Sequence, residues 1–292
     1  MSLSMLGAPT LMAMLALYLL LAVTSLAVGQ RTRPDSQLRK QVLAWWYLFP
    51  VVSLSVFLNP AGPMLMALLI ALLAVRELAR HHSGPRWRFL LPCLALLIVQ
   101  AGLTVTGAAR PAALLPWLLA AQALHFLLRR HRNTLLLLLF ILLCYSLSFL
   151  PDLLKLPLPA PMGIDWFFYL CVLTALNDIA QFIGGTLFGK HAIAKHISPN
   201  KTWQGLAGGV LASIVVSLAL GLSLRLAPVP ELLGLALLLS LGGFAGDLLF
   251  SAAKRFLGIK DFSQLIPGHG GILDRVDSLV LTAPLLYFAL SS

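Results

Sequence analysis

Charge is what this sequence has least of. Only 11% of its 292 residues are Asp, Glu, Lys or Arg, against about 25% in an ordinary soluble domain. Acidic residues are the scarcer kind, 10 against 21 basic ones. With 59% hydrophobic residues, too little polar surface is left to cover a water-soluble fold. The three cysteines, Cys93, Cys144 and Cys171, lie far apart within apolar segments, which excludes a disulfide framework and a zinc-ligand spacing. Also missing are the GxxxxGK[ST] phosphate loop, the GxSxG nucleophile elbow and HExxH. The net charge of +11 is spread over short stretches between apolar runs, so no nucleic-acid partner is expected.

What the chain does have is apolar runs, several of 18 residues or more, and such runs read as membrane-spanning helices. The expected fold class is all-α, a polytopic integral membrane protein of about ten spans. They lie at roughly 5–29, 41–59, 62–79, 89–108, 111–128, 134–151, 164–188, 204–225, 231–252 and 272–290. The start, MSLSMLGAPT, lacks the positive n-region of a signal peptide, so the first run is kept as a span.

Basic residues then alternate from loop to loop. All of the 21 except Arg110, Lys155 and Arg225 fall in or beside the odd-numbered loops. The positive-inside rule makes those loops cytoplasmic and turns both termini outward. Dropping one span would invert every later loop, so the agreement supports ten. The bacterial inner membrane, with the site facing the cytoplasm, is the expected location.

The first six spans carry almost no ionisable side chain, whereas acids gather further on. Asp178, Asp247, Asp274 and Asp277 fall at the cytoplasmic ends of spans 7, 9 and 10, and an acid at membrane depth usually marks a site. The chain thus divides into an N-terminal transmembrane scaffold, 1–160, and a C-terminal catalytic region, 161–292, with the site at the cytoplasmic helix ends.

Three clusters stand out there. In the first, Asp178 and Gln181 share a helix face, and SPNKTWQG places Ser198, Lys201 and Thr202 at the entry to span 8. A helix N-terminus with a lysine suits phosphate; a capped, topogenic loop explains the same residues equally well. In the second, Asp247, Ser251 and Lys254 recur at i, i+4 and i+7 along one stripe, followed by Arg255. In the third, KDFSQLIPGHGGILDRVD, Lys260 to Asp277, the PGHGG glycines free the backbone around His269 and Gly270. Asp274 and Asp277 follow one turn apart, flanking Arg275. Acids complement a helix N-terminus in any case. Their company decides for chemistry: hard oxygens for Mg²⁺ beside cations for phosphates, the equipment of phosphoryl or nucleotidyl transfer.

The run SAAKRFLGIKDFSQLIPGHGGILDRVD, Ser251 to Asp277, resembles the signature of the phosphatidate cytidylyltransferases, or CDP-diacylglycerol synthases. S-x-x-K-R, K-D, P-G-H-G-G and D-R-x-D all stand in register, and the upstream G-K-H…S-P-N-K-T-W-Q-G segment extends the likeness over 177–277. Ala253 replaces a larger aliphatic residue. The resemblance implies transfer of a cytidylyl group from CTP to phosphatidic acid, giving CDP-diacylglycerol and pyrophosphate in phospholipid biosynthesis. It implies Mg²⁺, admits K⁺ as a second ion, and is compatible with a homodimer.

Carried over by position, Asp247, Asp274 and Asp277 are metal and catalytic residues, and Lys254 is catalytic. Asp178, Ser198, Lys201, Thr202, Ser251, Arg255, Lys260, His269, Gly270 and Arg275 bind substrates. One departure concerns Asp178: many members have D-[ST]-x-A-Y, where this chain has D-I-A-Q. That suits a divergent paralogue acting on a related lipid phosphate. A CTP-dependent polyprenol or phytol kinase, and a transporter of an anionic lipid phosphate, are the alternatives. A transporter would be expected to show repeated halves, and none is evident.

Overall fold

The apolar runs become helices because lipid offers no partner for backbone N–H and C=O groups, and a helix satisfies them internally. In the computed structural model they form α1 (Ala8–Arg31), α2 (Gln37–Phe57), α3 (Gly62–Ala79), α4 (Trp87–Thr106), α5 (Pro111–Arg129) and α6 (Arg132–Asp152). After a 3-10 turn, Leu153–Lys155, come α7 (Met162–Phe188), α8 (Trp203–Ser223), α9 (Val229–Leu257), α10 (Leu273–Val276) and α11 (Leu279–Ser291). The structure describes residues 7–31, 33, 36–106, 111–158, 162–265 and 270–291.

Seven of these helical stretches are long and apolar enough to cross a membrane: α1, α3, α4, α6 with its 3-10 turn, α7, α8 and α9. Shorter apolar helices cover Val42–Phe57 and Ala113–Arg129. The protein is an all-α polytopic membrane protein. Its outer faces carry bare leucines and aromatics, among them Leu15, Leu19, Trp117 and Leu128, as lipid-facing surfaces do.

α6 is the central helix. Its apolar window is 72% buried, whereas that of α1 is only 6% buried. Phe140 and Phe149 of α6 pack in one core with Trp166, Phe167, Phe168 and Tyr169 of α7. α1 is nonetheless tied inward, because Thr10 Oγ1 donates to the buried Asp165 of α7 at 2.6 Å.

Three features differ from the sequence reading. Ser198–Thr202 is a strand, β2, paired antiparallel with β1 (Ala192–Ala194); α8 begins only after Thr202, whose hydroxyl caps it by accepting from Gly205 N at 3.1 Å. The last span is broken between Val276 and Leu279 into α10 and α11. The acids on α7 and α9 also stand inside their helices rather than at the ends. Asp178 and Asp247 each precede the last helical residue by ten positions, roughly 15 Å of helix. α7 and α9, with 27 and 29 residues, exceed the ~20 needed to span, so their surplus length carries these acids.

The third, fifth, seventh and ninth loops are linked to one another by hydrogen bonds. His81, after α3, bonds through Nε2 to the Phe262 carbonyl at 2.8 Å, and Ser83 N donates to Asn133 Oδ1 at 2.9 Å. Arg255 Nε donates to the carbonyl of Ile197 in the hairpin at 3.0 Å.

Candidate active site

Asp178 of α7, Asp247 of α9 and Asp277, just after α10, lie close enough for their negative charges to oppose one another. Lys201, Lys254 and Arg275 offset them. Three chain segments far apart in sequence therefore meet at one spot. Close backbone approach makes this possible: a Cβ on Gly246 would stand 2.4 Å from the Asp277 carbonyl oxygen, so only glycine lets α9 lie against the α10–α11 junction there.

The cations reach this spot by different routes. Lys201 leaves β2 and meets Asp247 Oδ2 at 2.5 Å, an ionic contact rather than a directed hydrogen bond, with its ammonium over the Phe244 ring. Asp247 stays one-third exposed (34%), open to an incoming group. Ser251, one turn on, sits 3.4 Å from Asp247 Oδ1. Lys254 faces elsewhere, donating to Asp274 Oδ1 at 2.6 Å.

Asp274 is fully engaged. Its Oδ2 accepts from Phe262 N at 3.1 Å and Gly271 N at 2.9 Å, so this carboxylate braces the segment between α9 and α10. Gly270 beside it has φ +81°, a left-handed conformation that favours glycine. Asp274 and Asp277, one turn apart, thus serve different neighbours.

The remaining candidates are less central. Thr202 is the α8 cap, and Ser198 lies half-buried at the start of β2. Arg255 is committed to the Ile197 and Ile259 carbonyls. Lys260 is exposed, with no ion-pair partner among the described residues. His269 lies outside the described residues.

Several site residues escaped the sequence reading. Ser278 Oγ donates to Asp178 Oδ1 at 2.9 Å, and its place directly after D-R-V-D is the one signal that could have found it. Asn177 Oδ1 accepts from Ser213 and Ser240 at 3.2 and 2.7 Å, tying α7, α8 and α9 together beneath Asp178. The Nε2 of Gln181 is buried without a hydrogen-bond partner among the described residues. Glu77 corrects the view of the first six spans as nearly free of ionisable groups: it lies on α3, is 2% exposed and bonds to Ser263, Ile272 and Leu273, before and at the start of α10.

Among the described residues, no three His, Cys, Asp or Glu side chains form a ready-made metal cage. The donors that do converge are hard carboxylate oxygens, one pair of them partly open. That fits Mg²⁺, which keeps several waters and takes one or two carboxylates plus substrate phosphates.

A model of the cytidylyltransferase family matches residues 39–292. The chain is 43% identical over 120 residues to YnbB, an uncharacterized protein of Escherichia coli K12, covering 41% of this chain and 40% of that protein. It is 42% identical over 131 residues to the phosphatidate cytidylyltransferase of Bacillus subtilis 168, covering 44% and 48%. It is also 42% identical over 125 residues to the phosphatidate cytidylyltransferase of Staphylococcus aureus COL, covering 42% and 48%. The chain spans about half the length of the curated relatives it matches, or less.

Proposed function

The chain belongs to the cytidylyltransferase family, and from that premise we propose that it transfers a cytidylyl group from CTP to phosphatidic acid or a related lipid phosphate. A phosphate oxygen of the lipid attacks the α-phosphorus of CTP. The new P–O bond forms as the bond to the bridging oxygen breaks, and pyrophosphate leaves with that oxygen. The observation that carries this reading is the convergence of three segments: Lys201 pairs with Asp247, Gly246 lies against the Asp277 backbone, and Ser278 bonds to Asp178.

Asp247 and Asp277 are the carboxylates that would hold Mg²⁺; Asp274 could join them only by giving up Lys254. The bound ion supplies charge neutralisation at the phosphates as the transition state forms. Lys201 and Lys254, each paired with an aspartate in the free chain, exchange those partners for phosphate oxygens and orient the polyphosphate. Ser251 and Arg275 flank it, and Ser278 fixes the carboxyl of Asp178. The surplus turns of α7 and α9 set this chemistry at the lipid surface, where a phosphate on an acyl-bearing substrate naturally lies.

Basic loops mark the cytoplasmic side. The contacts from loop to loop through His81, Ser83 and Arg255 support one shared basic face, so the site faces the cytoplasm from a bacterial inner membrane. The test is direct. Detergent-purified protein with Mg²⁺, labelled CTP and phosphatidic acid should yield CDP-lipid and pyrophosphate in equal amounts. CDP in place of pyrophosphate would make it a lipid kinase, and no turnover with any lipid phosphate would favour transport.

A further inference from the structure

Glu77 stands in the N-terminal half of the chain, yet its carboxylate is spent on the signature segment. Its Oε1 accepts from Ser263 Oγ at 2.6 Å and Ile272 N at 2.8 Å, and its Oε2 from Leu273 N at 3.1 Å. These partners lie 186 to 196 residues away in sequence and on both sides of the P-G-H-G stretch. The fit is close: a Cβ on Gly271 would fall 2.4 Å from Glu77 Oε2, so the glycine leaves room for the carboxylate. Four residues on, just past the end of α3, His81 holds the Phe262 carbonyl, which gives the same segment a second tie to this part of the chain.

A buried carboxylate is costly unless its oxygens are satisfied. Here every contact is a donor, and two of the three are backbone N–H groups at the first turn of α10. That short helix carries Asp274, Arg275 and, at its end, Asp277. We propose that Glu77 is a positioning residue for the reaction: it fixes the start of α10, and through it the register of Asp274 and Asp277 against α9. The first half of the chain thereby contributes to the site without touching substrate.

The consequence for CTP binding rests on the function proposed above, but the structural claim can be read without it. In Glu77→Gln one oxygen still accepts, while the new NH₂ opposes a backbone donor. Loss of a charge-assisted hydrogen bond is worth about 1.5–3 kcal/mol, which is roughly 10- to 100-fold at about 1.4 kcal/mol per decade. Amide hydrogen exchange on the purified full chain should therefore speed up by about that factor at Ile272 and Leu273, with α6 and α7 unchanged.

In the turnover assay the same variant should raise KM for CTP by roughly tenfold or more, with KM for the lipid unchanged. Ser263→Ala should move both readouts the same way and by less. Unchanged exchange at 272 and 273 in a folded variant would overturn the proposal, as would equal loss for both substrates. Wild-type protein that turns over no lipid phosphate would instead refute the function, with the exchange result still deciding the role of Glu77.

Discussion

Lys254→Met tests whether the inner ion pair is what holds the signature segment to α9. Methionine keeps most of the apolar stem and removes only the charge. The pair is short, 2.6 Å, and its side chains are 11% and 4% exposed, so solvent screening gives little relief. Removing one partner of a buried pair costs about 3–5 kcal/mol. Asp274 keeps its two backbone donors, Phe262 N and Gly271 N, which places the cost at about 3 kcal/mol on that scale. For 292 residues, at about 2.1 cal/mol/K per residue, that lowers Tm by about 5 °C. A thiol-reactive dye that reports exposure of the buried Cys93 and Cys144 reads the transition in detergent. Asp274→Asn should also destabilise, and the double variant should lose less than the two single losses combined, because the partners are coupled. A Tm within a degree of wild type for Lys254→Met, or strictly additive losses, would mean that the pair does not hold the segment to α9.

Asp277→Asn should cut turnover more than 100-fold, about 3 kcal/mol at roughly 1.4 per decade, while Tm stays level or rises, since one of three opposed negative charges is removed. A large fall in Tm would mark Asp277 as structural instead. Lys201→Met should raise KM for CTP about tenfold with little change in KM for the lipid, measured in the same assay. Chelation with EDTA should stop turnover and added Mg²⁺ restore it; full activity in excess EDTA would rule out the divalent ion.

The helices could be read from the sequence because each is written locally, in an apolar run long enough to span and in the basic residues at one of its ends. The chemistry could be read because spacing puts Asp247, Ser251 and Lys254 on one stripe of a single helix. What local pattern cannot convey is partner choice. Lys254 looks toward Asp247 on the stripe but pairs with Asp274, 20 residues on; Asp247 is met instead by Lys201, from a strand that reads as a helix start. The break after Val276 was hidden because Asp277 and Ser278 read equally well as polar residues in the first turn of one continuous span. Glu77 was missed because its meaning lies almost two hundred residues away, and beside Arg76 and Arg80 it looks like one more charge at a helix end.

That separation sets an order of events during synthesis. At about 5–20 residues per second, the 195 residues between Glu77 and Ile272 take roughly 10–40 s to emerge. For most of that interval α3 is already made while the partners of Glu77 are not, since even Ser263 lies 186 residues on. Its place two residues before the end of α3 lets the carboxylate wait in water at the membrane surface rather than in lipid. Burial of Glu77 is then a late event, completed only when α10 arrives, and a chain that stops short of α10 leaves that carboxylate facing water.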